Sequence, residues 1–306
     1  MARAAEWARV ALVTALVAAP VLGCKDGKDD AKAEQASTEA SEAPLPEDAE
    51  AFLAELSPLP AGATGLEIRY EVRGSLAEGE LTIQQAPGGY RREDWTIRWA
   101  SEDPGHPVVN EGTTIITPRA VWTAQKGEPG ELGERDFGAL ADAWLALDEA
   151  PRRAVVEAIR EWHALLTEQR AAHPGERDAV LEVSCLQTRM AAQNLCLWEE
   201  AGLFLRYEGA AFEIVATSIE REAKLEPSRF EIPASARAEA ETVELEGLKV
   251  DAILSALGEG SYEMMTGLLT PRVQLAALEA PPKAEAEAEA EADSAAGEAK
   301  GPNAAE

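Results

Sequence analysis

A chain of 306 residues with 46% apolar side chains is long enough for one sizeable domain or two small ones. Its 56 acids against 28 bases leave a net charge of −28. That balance argues against binding of a nucleic-acid backbone and against electrostatic docking on anionic lipid head groups.

The first residues read as an export signal. Arg3 and Arg9 form a basic segment, and Val10 to Leu22 carry no charge. The run is too short to span a bilayer as a stable helix, so residues 1–23 are assigned as a signal peptide. Val21-Leu22-Gly23-Cys24 resembles the bacterial lipobox, in which a diacylglyceryl group is added to the cysteine before cleavage. The resemblance implies a mature chain beginning at a lipidated Cys24 and held to a membrane through that lipid. The alternative is an ordinary signal peptide with an incidental cysteine. Lys25 follows the cysteine where some Gram-negative lipoproteins carry the Asp that retains them at the inner membrane. This favours the periplasmic side of the outer membrane. Several acyl chains anchor stably where one binds reversibly.

Residues 24–48 hold the lipidated cysteine and a tether of Lys, Asp, Glu, Ala and Ser with almost nothing apolar, a composition that does not fold. Ala51 to Leu56 starts a short helix before Pro58. The period then becomes two. Leu66, Ile68, Tyr70 and Val72 alternate with charged residues, as in a strand with one wet face. Leu81 and Ile83 repeat the pattern, and so do Trp95, Ile97 and Trp99. Ile115, Ile116, Val121 and Trp122 predict two more strands around Pro118. Gly74, Gly79, Pro87-Gly88-Gly89 and Pro104-Gly105 supply the turns of an antiparallel meander.

Phe137, Leu140, Ala141, Trp144 and Leu145 then follow helical spacing. A second helix begins near Pro151, with Val155, Ile159, Trp162 and Leu166 as its stripe, and stops at His173-Pro174-Gly175. Strands resume at Val180, with Leu181, Val183 and Cys185 on one face. Cys196 and Trp198 lie on the returning strand.

Removing Cys24 from the three cysteines leaves Cys185 and Cys196. In an oxidising compartment that pair forms a disulfide; the alternative is two free core thiols. Cys185 opposite Cys196 would give a hairpin closed near Met190 and Ala191, with a cross-link contributing roughly 2–4 kcal/mol. Leu203-Phe204-Leu205 and Phe212 to Ile219 are further strands. Phe230-Glu231-Ile232-Pro233 ends the domain, which spans 49–238. In 239–278, Val250, Ile253, Leu254 and Leu257 form one helical stripe, and Tyr262, Met265, Leu268 and Leu269 another. This extension either covers the domain or binds a partner. From 279 to 306 the chain is an acidic Ala/Glu-rich tail. Its two-residue period gives a helix no apolar face.

Trp198-Glu199-Glu200-Ala201-Gly202-Leu203-Phe204-Leu205-Arg206-Tyr207 resembles a strand–turn–strand of the LolA/LolB family of periplasmic lipoprotein carriers, which includes related mycobacterial lipoproteins. The alternating strand after it and the F-x-I-P ending at Phe230 to Pro233 fit the same family. The resemblance covers 49–238 and implies an α+β fold: a curved antiparallel sheet forming an incomplete β-barrel, with helices over its concave mouth and an apolar cavity beneath. The Cys185–Cys196 hairpin and the C-terminal helices depart from the family pattern, and an anchored chain is like the acceptor rather than the soluble carrier.

No catalytic arrangement is present in the sequence. His106, His163 and His173 are scattered, and there is no HExxH, GxSxG or phosphate-binding loop. No cofactor or metal is expected. Glu199-Glu200 reads as a solvated turn. The expected function is binding or carrying an apolar ligand, such as a lipid or a lipoprotein acyl chain. Trp95, Trp99 and Trp122 are the candidate lining. The alternative is a structural or protein-interaction lipoprotein with a filled core. A strand's inward apolar face looks the same over a cavity as over a core, so the sequence leaves both open.

Overall fold

A computed structural model describes residues 45–100, 108–190, 193–243, 245 and 249–259. Cys24 and the leader, most of the tether, His106, the stripe from Tyr262 to Leu269 and the Ala/Glu tail lie outside the described residues.

The chain opens with helix α1 (Glu47–Leu56), followed by six strands: β1 (Leu66–Gly74), β2 (Ala77–Ala86), β3 (Tyr90–Trp99), β4 (Val108–Ile116), β5 (Ala120–Gln125) and β6 (Glu131–Glu134). Helices α2 (Phe137–Leu145) and α3 (Glu149–Ala172) come next. Strands return as β7 (Arg177–Val180), β8 (Val183–Met190), β9 (Gln193–Trp198), β10 (Leu203–Glu208) and β11 (Phe212–Glu220). A 3₁₀ turn (Pro227–Phe230), α4 (Ala234–Glu239), β12 (Glu241–Val243) and α5 (Val250–Gly258) complete the described chain. The strands form one sheet in the order β12-β6-β5-β4-β3-β2-β1-β11-β10-β9-β8-β7, antiparallel except for the parallel edge pair of β12 and β6. β12 and β7 are its two free edges, so the barrel is not closed.

The sheet curls strongly toward one face. Trp99 on β3 and Phe212 on β11 are separated by β2 and β1. Three ladder spacings of about 4.8 Å would keep them about 14 Å apart in a flat sheet. Their rings meet edge to face with centroids 5.7 Å apart. The face carrying Leu66, Ile68, Tyr70 and Val72 is therefore concave and buried, while Arg69, Glu71 and Arg73 face water.

The helices build a core of their own. Phe52 stacks on Trp144 with centroids 4.6 Å apart, and Leu140, Ile159, Trp162 and Ile253 are buried in the same cluster. Thus α5, in the 239–278 stretch, covers the helical layer. The layer meets the sheet through polar contacts with turns at one end. Arg119, after β4, is bidentate to Asp142 of α2 at 3.0 and 3.1 Å. Arg135, between β6 and α2, donates to the carbonyl of Thr117 at 2.9 Å and lies over the Phe137 ring. Burial pulls its guanidinium down to about 10. Arg170 of α3 and Arg177 of β7 are both paired with Glu199 in the β9–β10 turn, at 3.8 and 2.7 Å. An α+β fold with an unclosed curved sheet and helices over one end is the architecture expected from the sequence.

Three local expectations differ. Leu181 and Val183 do not continue one strand from Val180. Leu181 and Glu182 form a tight turn in left-handed backbone, with φ of 50° and 66°, and join two short strands. Neither is Gly, Asn or Asp, so the usual signal of such a turn is missing. Cys185 is not directly opposite Cys196. The ladder closes at Met190↔Gln193, which sets Gln187 opposite Cys196 and leaves Cys185 diagonal to it on the same face. The two cysteines are nonetheless bonded, with Cα atoms 5.2 Å apart. Phe230 and Ile232 lead into α4, and Ile232 and Ala236 bury Ile115 from the outer face of β4 before β12 adds to the sheet edge.

Candidate functional site

The concave face follows from strand register. Ile83 and Leu81 lie opposite Ile68 and Tyr70, and Leu81 in turn lies opposite Trp95. On the other side of β1, Val72 opposes Ile214 and Gly74 opposes Phe212. Directly opposed residues share a face, so all of these point inward.

An aromatic run lies along this face. Trp99 meets Phe212, which stacks on Tyr207 at 5.6 Å; Tyr207 meets Phe204 at 6.4 Å, and Phe204 meets Tyr70 at 5.3 Å. Tyr70 and Phe204 are tied further by the Tyr70 hydroxyl donating to the Phe204 carbonyl at 2.9 Å. Burial pushes the Tyr70 phenol well above its ordinary range; nearby Arg91 opposes that shift and Glu93 adds to it.

Trp95 and Trp99 share the concave face, as their spacing predicts. Trp95 is buried with its indole nitrogen donating to Asn110 Oδ1 at 3.0 Å. The ring lies over Gly112, where a Cβ would come within 2.3 Å of Trp95 Cζ2, so glycine is what admits the indole. Trp99 is only half-buried, at the end of the sheet away from the helices. Trp122 does not join them. It pairs with Ile115 and Leu132 on the opposite face, packs against the Ile115–Ile232–Ala236 cluster, and donates its indole N–H to the Pro129 carbonyl at 3.1 Å. Adjacent strands alternate independently, and nothing in the local pattern around Pro118 states which apolar residue of β5 turns inward.

The sequence reading missed a polar layer on the same face. Following β3 backward from Trp95 in steps of two reaches Glu93 and Arg91. These form an ion pair, Nη2 to Oε1, at 2.6 Å, with side chains only 2% and 11% exposed. Glu93 lies opposite Thr114, whose hydroxyl meets that of Thr123 at 3.0 Å. The alternation that placed Trp95 and Trp99 was the available signal, and the charge of Arg91 and Glu93 hid it.

The concavity is filled by its own side chains. Leu66, Ile68, Leu81, Ile83, Ile97, Phe204 and Ile214 are at most 1% exposed, leaving them no contact with a water-sized void. Two recesses among the described residues lie on the convex face. One, of about 410 Å³, is lined by Glu80, Asp94, Thr96, Glu111 and Trp122. His163 is held in the helical layer, its Nε2 3.1 Å from the Glu55 carbonyl, and burial lowers its affinity for a proton. Among the described residues, no group of three or more His, Cys, Asp or Glu is placed to hold a metal ion. Glu199 is ion-paired rather than free in its turn.

No family model and no curated protein sequence matches the chain. Among solved structures, LprF from Mycobacterium bovis is similar over 59% of this chain and 97% of its own, at 12% identity and a TM-score of 0.21, a likeness too loose to carry an assignment.

Proposed function

We propose that this chain is a non-catalytic lipoprotein of the bacterial cell envelope, tethered through a lipid on Cys24, whose curved-sheet domain acts as a stable scaffold for protein interaction. The observation that carries this reading is the filled concavity. A carrier needs apolar space, and here the inward residues of β1, β2, β3, β10 and β11 occupy it themselves. Binding then belongs to the surface, and the tether sets the domain off the membrane.

A second reading, uptake of a lipid or a lipoprotein acyl chain, is favoured by two features. The helical core and the sheet core are separate clusters joined by polar contacts. The aromatic run also reaches half-buried Trp99 and Phe212 at the end away from the helices. Parting that end would expose apolar surface worth roughly 25 cal/mol per Å² to a ligand that covers it.

The anchor is common to both readings. Cys24→Ser is expected to move the protein from the membrane pellet to the soluble fraction, since no described helix is long and apolar enough to cross a bilayer. A mutant that still sediments with membranes after a high-salt wash would remove the lipid anchor from the account.

A further inference from the structure

We draw no further inference here: the strongest candidate, the convex-face recess beside Trp122, is walled by the acidic cluster of Glu80, Asp94, Glu111 and Glu128, in which Asp94 and Glu111 are already paired with Arg92 and Lys126, and nothing among the described residues points to a ligand for it.

Discussion

Arg91→Leu should lower the stability of the domain by about 3–5 kcal/mol, the cost of removing one partner of a buried ion pair. Arg91 and Glu93 stand two residues apart on the concave side of β3, at 2.6 Å, almost out of water. Ion pairs on the surface of a protein contribute about 0–1 kcal/mol, since water replaces either partner. Here water is largely excluded, and without the guanidinium Glu93 loses the charge that offsets its burial. The pair itself need not be stabilising. Removing both charges in Arg91→Leu/Glu93→Leu should therefore recover most of the loss. Urea midpoints followed by far-UV circular dichroism measure both. A single-variant change below about 1 kcal/mol would mean that the pair is solvated and that this end of the concavity is open.

Phe204→Ala should cost about 3–5 kcal/mol, the range for emptying a packed aromatic site. Phe204 has no exposed surface and touches both Tyr70 and Tyr207. The hydrogen bond from Tyr70 goes to its backbone carbonyl, so the substitution leaves that bond in place and isolates the ring's contribution. The size of the effect tests whether the concavity is filled. In a filled core the variant loses the transfer free energy of the ring and gains a cavity, and both terms destabilise. A cost below about 1 kcal/mol would mean that the ring borders empty space and that the concavity is not filled. Denaturant unfolding of the full chain in detergent reads the difference directly.

The fold was legible wherever one face of an element is wet. β1 announces itself because Glu67, Arg69, Glu71 and Arg73 alternate with Leu66, Ile68, Tyr70 and Val72, and α3 because Val155, Ile159 and Trp162 recur at helical spacing. What stayed hidden has particular causes. The β7–β8 hairpin turns on Leu181 and Glu182 without the residues that favour left-handed backbone. β6 is four residues long, and β12 three, too short for any period to show. The diagonal setting of Cys185 and Cys196 depends on where the β8–β9 ladder closes, which two alanines do not disclose.

The candidate site was legible in its residues and not in its occupancy. Trp95 and Trp99 share a face by the geometry of any strand, and that face is concave. Whether the concavity is empty depends on how far β10 and β11 curl toward β3. That is set by contacts such as Trp99 to Phe212 across three ladders, which no local pattern encodes. Trp122 was misplaced for the same reason, since its neighbours Ile232 and Ala236 come from more than a hundred residues downstream. Gln84 and Glu67 looked like ordinary members of a wet face. Gln84 is nevertheless buried, and the segment after β11 lines a recess with both.

The central claim, that the concavity is the protein's own core, is tested most directly by native mass spectrometry of the full chain extracted from membranes in detergent. The account predicts a single species whose mass is that of the mature chain with its Cys24 lipid, unchanged in Trp99→Arg apart from the substitution itself. A stoichiometric additional lipid on the wild-type protein, absent from a folded Trp99→Arg variant, would contradict it and establish the concave face as a carrier site.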